Sequence, residues 1–239
     1  MIDNSRTIAV ITGANRGLGR EVARQLTARG VHVVMTARDS LQGRAAAELM
    51  KFQGGDVEFH PLDVTDRSSI RKLAGFLEKR YGRLDILINN AGAHPKNDGA
   101  GVDVSSETMS EAFAVNCLGA FQVTQELLPL LGKKACGRII NVSTLLASPS
   151  RMDQLPGSYF AYRVAKAALN AVTAAMAAEL TSQRISVNAV HPGWLQTAMG
   201  GPHAPQPVEE GAAAVVHLAL EVPATVSGTL FAQQVVSSW

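Results

Sequence analysis

Two residues one helical turn apart define the chemistry this chain could perform. Tyr162 and Lys166 stand four positions apart in Tyr162-Arg163-Val164-Ala165-Lys166, a spacing that puts both side chains on one face of a helix. An ammonium beside a phenol favours the phenolate, so the pair is expected to lower a pKa that is about 10 when unperturbed. A phenol tuned in this way delivers a proton near neutral pH, which reduction of a carbonyl requires. Alone the pair is weak evidence, because the same spacing also arises by chance as an exposed helical contact. Tyr159 is a near copy, but its fourth-residue partner is Arg163. The weight of Tyr162 therefore depends on what the rest of the chain directs to it.

The positioning elements alternate between strand and helix. Residues 7–12 are a short, continuous, β-branched run that reads as a buried strand. Gly13-Ala14-Asn15-Arg16-Gly17-Leu18-Gly19 follows directly, and helical sequence continues to about residue 29. Glycines at such a turn let the backbone approach a pyrophosphate, which rests on the N–H groups and positive dipole of the helix. Gly13, Asn15, Arg16, Gly17, Leu18 and Gly19 are accordingly candidates for holding a dinucleotide. The second strand, 31–36, ends at Ala37-Arg38-Asp39. An acidic residue at that tip would accept the ribose hydroxyls of NAD, whereas arginine accommodates the extra phosphate of NADP. Arg38 and Arg16 together could clamp that phosphate through charge-assisted hydrogen bonds. Asp39 argues the other way, unless it starts the next helix near Ser40, where a carboxylate is favourable. The balance favours NADP(H).

Helix 41–52 leads to a third strand at 57–62 and then to Asp63-Val64. Asp63 either accepts from an adenine amino group or satisfies the backbone of its own turn. After a helix over 66–80 comes a fourth strand, 84–88, ending in Asn89-Asn90-Ala91-Gly92. Small residues there let backbone pass close to a ligand, in the crevice where open α/β sheets bind one. Residues 93–103 form a polar, Gly-rich loop at the rim of that crevice. A long helix over 105–131 carries Asn116 near its middle, where asparagine has poor propensity. The fifth strand, 137–142, ends at Ser143-Thr144, bringing a hydroxyl to the sheet edge that carries the Gly-rich turn.

A Ser- and Pro-rich loop, 144–158, precedes the helix of Tyr162, whose Ala-rich continuation suits either core packing or a subunit interface. The sixth strand, 185–190, runs into His191-Pro192-Gly193-Trp194-Leu195-Gln196-Thr197. Residues 198–207, punctuated by Gly and Pro, cannot be regular and are a candidate flap. A helix at 208–220 and a last short strand at about 228–236 complete the chain. The alternation predicts one α/β domain over 1–239, a Rossmann-type doubly wound parallel sheet flanked by helices.

Composition narrows the setting. Hydrophobic residues at 46% and charged residues at 18% are ordinary for a soluble protein. A net charge of +2 gives no reason to expect nucleic acid or an anionic membrane as partner. No apolar run reaches the roughly 20 residues that span a bilayer, and the first residues lack signal-peptide character. Cys117 and Cys136 have no metal-type spacing and the six His are scattered, so no metal site and a cytoplasmic setting are expected.

Together, Thr12-Gly13-x-x-x-Gly17-x-Gly19, Asn89-Asn90-Ala91-Gly92, Asn116, Ser143, Tyr162-x-x-x-Lys166 and Pro192-Gly193 resemble the short-chain dehydrogenase/reductase family. They fall in its usual order and cover essentially the whole chain. Thr36-Ala37-Arg38-Asp39, the Tyr162 to Lys166 stretch, His191 to Thr197, and Gly200-Gly201-Pro202 ahead of Glu209-Glu210-Gly211-Ala212 are similar to its NADPH-dependent carbonyl reductase branch. The resemblance implies that Tyr162 is the proton donor and that Ser143 polarises the substrate carbonyl. It implies that Lys166 holds the nicotinamide ribose and tunes Tyr162, and that Asn116 supports a proton-relaying water. It further implies that Asp63, Val64, Asn90, Ala91, Gly92, Pro192, Gly193, Leu195 and Thr197 line the cofactor.

Ser143 and Tyr162 are 19 residues apart, wider than the family's usual interval, so extra residues lie within 144–158. Pocket shape and oligomeric state stay open on that account, and self-association would use the helices at 105–131 and 157–182. The same residues would also serve a reductase of 3-oxoacyl thioesters. Outside enzymes, the alternative is a protein that senses NADP(H) without turnover, which would have no need for all four catalytic residues.

Overall fold

In a computed structural model, residues 6–133, 136–153 and 159–239 are described; Gly157, Ser158 and part of the 144–158 loop fall outside them. The apolar runs β1 (Thr7–Ile11) and β2 (Val31–Ala37) are almost wholly buried, as strands covered on both faces must be. They lie parallel to one another and to β3 (Val57–Pro61) and β4 (Ile86–Asn89). Next to β4 come β5 (Gly137–Val142), β6 (Ile185–His191) and β7 (Leu230–Ala232), also parallel. The sheet order is β3-β2-β1-β4-β5-β6-β7, with β8 (Val235–Ser237) at its end. The order reverses between β1 and β4. At such a switch point the connections leave to opposite faces and open a crevice past the carboxyl ends of the strands.

Alternation along the strands divides the core. Ala9 and Ile11 pack with Val22 and Leu26 of α1 (Gly17–Thr27), Met50 of α2 (Ser40–Phe52) and Val215 of α7 (Val208–Leu220). Ile8 and Val10 face the other way, against Leu73 and Leu77 of α3 (Arg67–Tyr81) and against α5 and α6 introduced below. Among the described residues no helix is long and apolar enough to cross a membrane.

Two elements differ from the sequence-based expectation. The helix over 105–131 is not continuous: α4 (Ser106–Phe113) passes into a π-helical segment, Ala114–Gly119, then α5 (Ala120–Leu127) and a 3-10 turn, Leu128–Leu130. Asn116 lies in the π segment, and its amide Nδ2 donates to the Ala112 carbonyl at 3.0 Å. In a regular α-helix that carbonyl would accept from the Asn116 backbone, so the side chain competes with the ladder and widens the turn. The last strand is in fact two, β7 and β8, paired antiparallel. Gln233 takes a left-handed φ of 56°, which folds the chain back where the sequence offers no glycine.

Candidate active site

The turn that follows β1 is glycine for two reasons, backbone conformation and lack of space. Gly13 and Gly17 have φ of 66° and 53°, and a Cβ on Gly19 would stand 2.5 Å from Asn90 Nδ2 and 2.6 Å from the Gly13 carbonyl oxygen. Thr12 and Asn90 lock this turn. The Thr12 hydroxyl accepts from the N–H groups of Asn90 at 3.0 Å and Ala91 at 2.9 Å, while Asn90 Nδ2 donates to the carbonyls of Thr12 and Gly13. Asn90 therefore shapes the cradle, with its amide engaged by protein. Arg16 stands at the N-cap of α1 without a side-chain cap bond, and the first turn holds no acid. That leaves the amide donors and the positive end of α1 to an anion, a fit for pyrophosphate.

At the tip of β2, Asp39 accepts from the N–H groups of Leu41 and Gln42 at 2.9 and 3.0 Å, capping α2. The carboxylate that would have argued for NAD is thus occupied by the helix. Arg16 and Arg38 are both exposed, and Asn15 reaches Gln42 at 3.3 Å. Asp63 accepts from Thr65 N–H and hydroxyl at 2.9 and 2.6 Å, the turn-forming alternative of its two readings. Val64 is buried, and it packs so closely on Gly119 that a Cβ there would lie 2.8 Å from its Cγ2.

The facing wall belongs to β5 and α6 (Phe160–Leu180). Lys166 is buried, donates to the Val142 carbonyl at 2.7 Å and lies 5.9 Å from the centre of the Tyr162 ring. Ser143 is buried beside Val142 and donates to Asn170 Oδ1 at 2.6 Å. Asn116 holds both backbone groups of Ala93, donating to its carbonyl at 2.8 Å and accepting from its N–H at 3.1 Å. A Cβ on Gly92 would meet Asn116 Oδ1 at 3.0 Å and Lys166 Nζ at 3.6 Å, so these three converge beneath the crevice. Residues 192–197 close the end near α1: the Thr197 methyl lies 3.5 Å from where a Gly17 Cβ would be. Leu195 is buried and pairs with Gln206, while Gly193, at φ 105°, leaves room for the Gln206 side chain. Residues 198–207 form no regular element beyond that pairing, as expected.

The expected lowering of the Tyr162 pKa is not found. Tyr162 is only partly buried, but desolvation of its phenolate raises the pKa of this hydroxyl to about 12. The nearby cation does not offset this, because it lies over the ring and donates its hydrogen bond to the Val142 carbonyl rather than to the phenol. Lys166 is itself desolvated and brought down to about 8, with Cys117 opposing.

Three site residues were not anticipated. His94, read only as part of the rim loop, sets its ring 4.2 Å from that of Tyr162, edge-on, and 4.7 Å from that of Tyr159. Burial lowers its pKa, Asp98 works against that and Lys166 adds to it. Asp98 accepts from the N–H groups of Ala161 at 2.8 Å and Tyr162 at 2.9 Å. It thus caps α6 from across the fold, since the adjoining Tyr159 makes no cap bond. Arg163 is buried and donates to the carbonyls of Leu146, Arg151 and Met152, tying the wide loop to α6. A titratable ring two residues past Gly92 was a usable hint for His94; the other two are long-range pairings with no local signature.

A family model described as short chain dehydrogenase matches residues 7–207. Carbonyl reductase [NADPH] 1 of Bos taurus is 35% identical, covering 92% of each chain. (+)-Neomenthol dehydrogenase of Arabidopsis thaliana is 32% identical over the full length of both. Among solved structures, NADPH-bound carbonyl reductase from chicken fatty liver superposes with a TM-score of 0.88 at 28% identity, covering 98% of this chain and 100% of that one. Salutaridine reductase from Papaver somniferum gives 0.83 at 30% identity, covering 95% and 99%.

Proposed function

The chain belongs to the short chain dehydrogenase family, and from that premise we propose that it reduces the carbonyl of a small aldehyde or ketone to an alcohol with NADPH. One observation carries the reading: Tyr162, Lys166 and Asn116 meet at the crevice that faces an uncapped, glycine-lined helix start, with Ser143 on the adjoining strand end. NADPH, when bound, supplies the hydride. In this reading the α1 N–H groups and Gly13, Gly17 and Gly19 would cradle its pyrophosphate, Arg16 and Arg38 would take its 2′-phosphate, and the Thr197 hydroxyl would anchor its carboxamide and phosphate side. Ala91, Gly92, Pro192, Gly193 and Leu195 let backbone approach the remainder, and Lys166 donates to ribose hydroxyls.

Proton delivery follows from the electrostatics. A phenol held near 12 keeps its proton through the neutral range. As negative charge builds on the substrate oxygen, that oxygen becomes an alkoxide, a stronger base than a phenolate, and takes the proton from Tyr162. Ser143 stabilises the developing charge by hydrogen bonding. Asn116 fixes the loop after β4 so that Gly92 stays beside Lys166, through which protons return.

The substrate is a small molecule rather than nucleic acid or membrane. Free thiols at Cys117 and Cys136 suit a reducing compartment, which we take to be the cytoplasm. Ala171, Ala175 and Ala178 stand exposed on α6, a surface a second copy could cover. The test is oxidation of NADPH, followed by its absorbance, against quinones, diketones, aldehydes and acyl thioesters, repeated with NADH. Turnover favouring NADPH supports the reading, and preference for acyl thioesters would move the substrate class. NADPH binding without turnover on any member would refute it.

A further inference from the structure

We infer that Asn170 is a positioning residue that aims the Ser143 hydroxyl at the substrate, by donating its own amide N–H to the serine oxygen. The inference rests on the reductase reading above. Ser143 and Asn170 are both buried, and Ser143 Oγ lies 2.6 Å from Asn170 Oδ1. A hydroxyl has one hydrogen and two lone pairs. Facing a carboxamide oxygen, Ser143 must spend that hydrogen on Asn170 and has none for a carbonyl. Asn170 Nδ2, meanwhile, is buried without a hydrogen-bond partner, and buried donors are rarely left so. Both conflicts end with one rotation. The two halves of a carboxamide have nearly the same shape, so a half-turn of the terminal torsion exchanges them in place. Nδ2 then donates to Ser143 Oγ, and the serine hydrogen is released for an acceptor in the crevice. Oδ1 takes the former place of Nδ2, and an under-satisfied carbonyl is tolerated more readily than an orphaned N–H.

The surrounding structure makes Asn170 a stiff support. It lies one turn beyond Lys166 and two beyond Tyr162 along α6, so proton donor, ammonium and amide share a face. The next turn is pinned, because Thr173 accepts from Asn141 Nδ2 at 2.8 Å and donates to the Leu169 carbonyl at 2.7 Å. Asn170 makes no approach to substrate on this account; it acts through Ser143.

The test is a double-mutant cycle on a carbonyl the wild-type protein reduces. Asn170→Ala should lower kcat at least about tenfold, with the KM for NADPH unchanged, because loss of one oriented donor typically removes about 10²–10³ in rate and Asn170 supplies part of it. Asn170→Asp, similar in shape but an acceptor only, should lower kcat by at least as much; it keeps the test valid if the alanine variant fails to fold. In a Ser143→Ala background neither change should slow the enzyme further. Losses that multiply fully in that background would overturn the inference, as would an Asn170→Asp enzyme with wild-type kcat. Absence of turnover in the wild-type protein would overturn the reductase reading itself and the role of Asn170 with it.

Discussion

Replacing Asp98 by alanine should loosen the fold and slow turnover together, because one carboxylate holds the first turn of the helix that carries Tyr162. Its oxygens accept from Ala161 and Tyr162 at 2.8 and 2.9 Å, and α6 has no cap bond from Tyr159. Removal of an N-cap costs about 1 kcal/mol and can reach about 2. Loss of an anion at the positive end of a helix adds about 0.3–1 kcal/mol. The sum is about 2 kcal/mol. At about 2–4 °C per kcal/mol for a chain of this size, Tm should fall by about 4–8 °C. Asp98→Asn keeps one acceptor oxygen and loses the charge, so about half that shift is expected. The kinetic effect follows from the second bond, which ends on the Tyr162 backbone itself. A misplacement of about 1 Å at a reacting group can cost about 10²-fold, so kcat should drop by about 10- to 100-fold. Thermal melts by circular dichroism and steady-state kinetics on the same preparations make the comparison. Unchanged Tm and kcat would refute the reasoning, and a lower Tm with intact kcat would refute the link from the cap to the proton donor.

Tyr162→Phe should abolish turnover while NADPH binding, measured by fluorescence titration, stays nearly intact. Arg38→Ala should weaken NADPH much more than NADH; equal losses in a side-by-side titration would remove the phosphate clamp. His191 is held down to about 4 by burial, with the Arg151 guanidinium adding to it. The unfolded chain accepts that proton below its ordinary 6.5, so this contribution to stability is whole above pH 6.5 and is lost as pH falls toward 4. It should amount to about 2 kcal/mol between pH 7 and pH 5. Urea unfolding at the two pH values should show His191→Gln with a correspondingly smaller drop than the wild-type protein.

The parts of the fold that were legible in the sequence are those set by local patterns. Residues 137–142 and 208–220 lie where the β-branched run and the apolar periodicity put them, because each buries a continuous face. The Gly-rich turn was legible because its positive φ values and close approaches demand glycine. What escaped notice depends on partners far along the chain. Asp98 caps a helix 63 and 64 residues away, and nothing beside Tyr159 advertises the missing cap. The π segment follows from the Asn116 amide taking the Ala112 carbonyl of its own helix, in a side chain that is held in place by Ala93, 23 residues back. Gln233 reverses the chain in a conformation its residue type rarely signals. The Tyr162 pKa rises where the spacing alone predicts a fall, because spacing gives proximity along a helix face, not the depth of burial or the direction in which an ammonium points.

Arg163 follows Tyr162 in sequence and grips the carbonyls of Leu146, Arg151 and Met152. The described part of the loop that widens the interval between Ser143 and Tyr162 is therefore clamped to the residue beside Tyr162. A change of sequence in this loop would be transmitted to Tyr162 through that clamp. On the reductase reading proposed above, substrate range and turnover rate would then change as a pair. Variants in which the loop is released from Arg163 are where the two would begin to evolve separately.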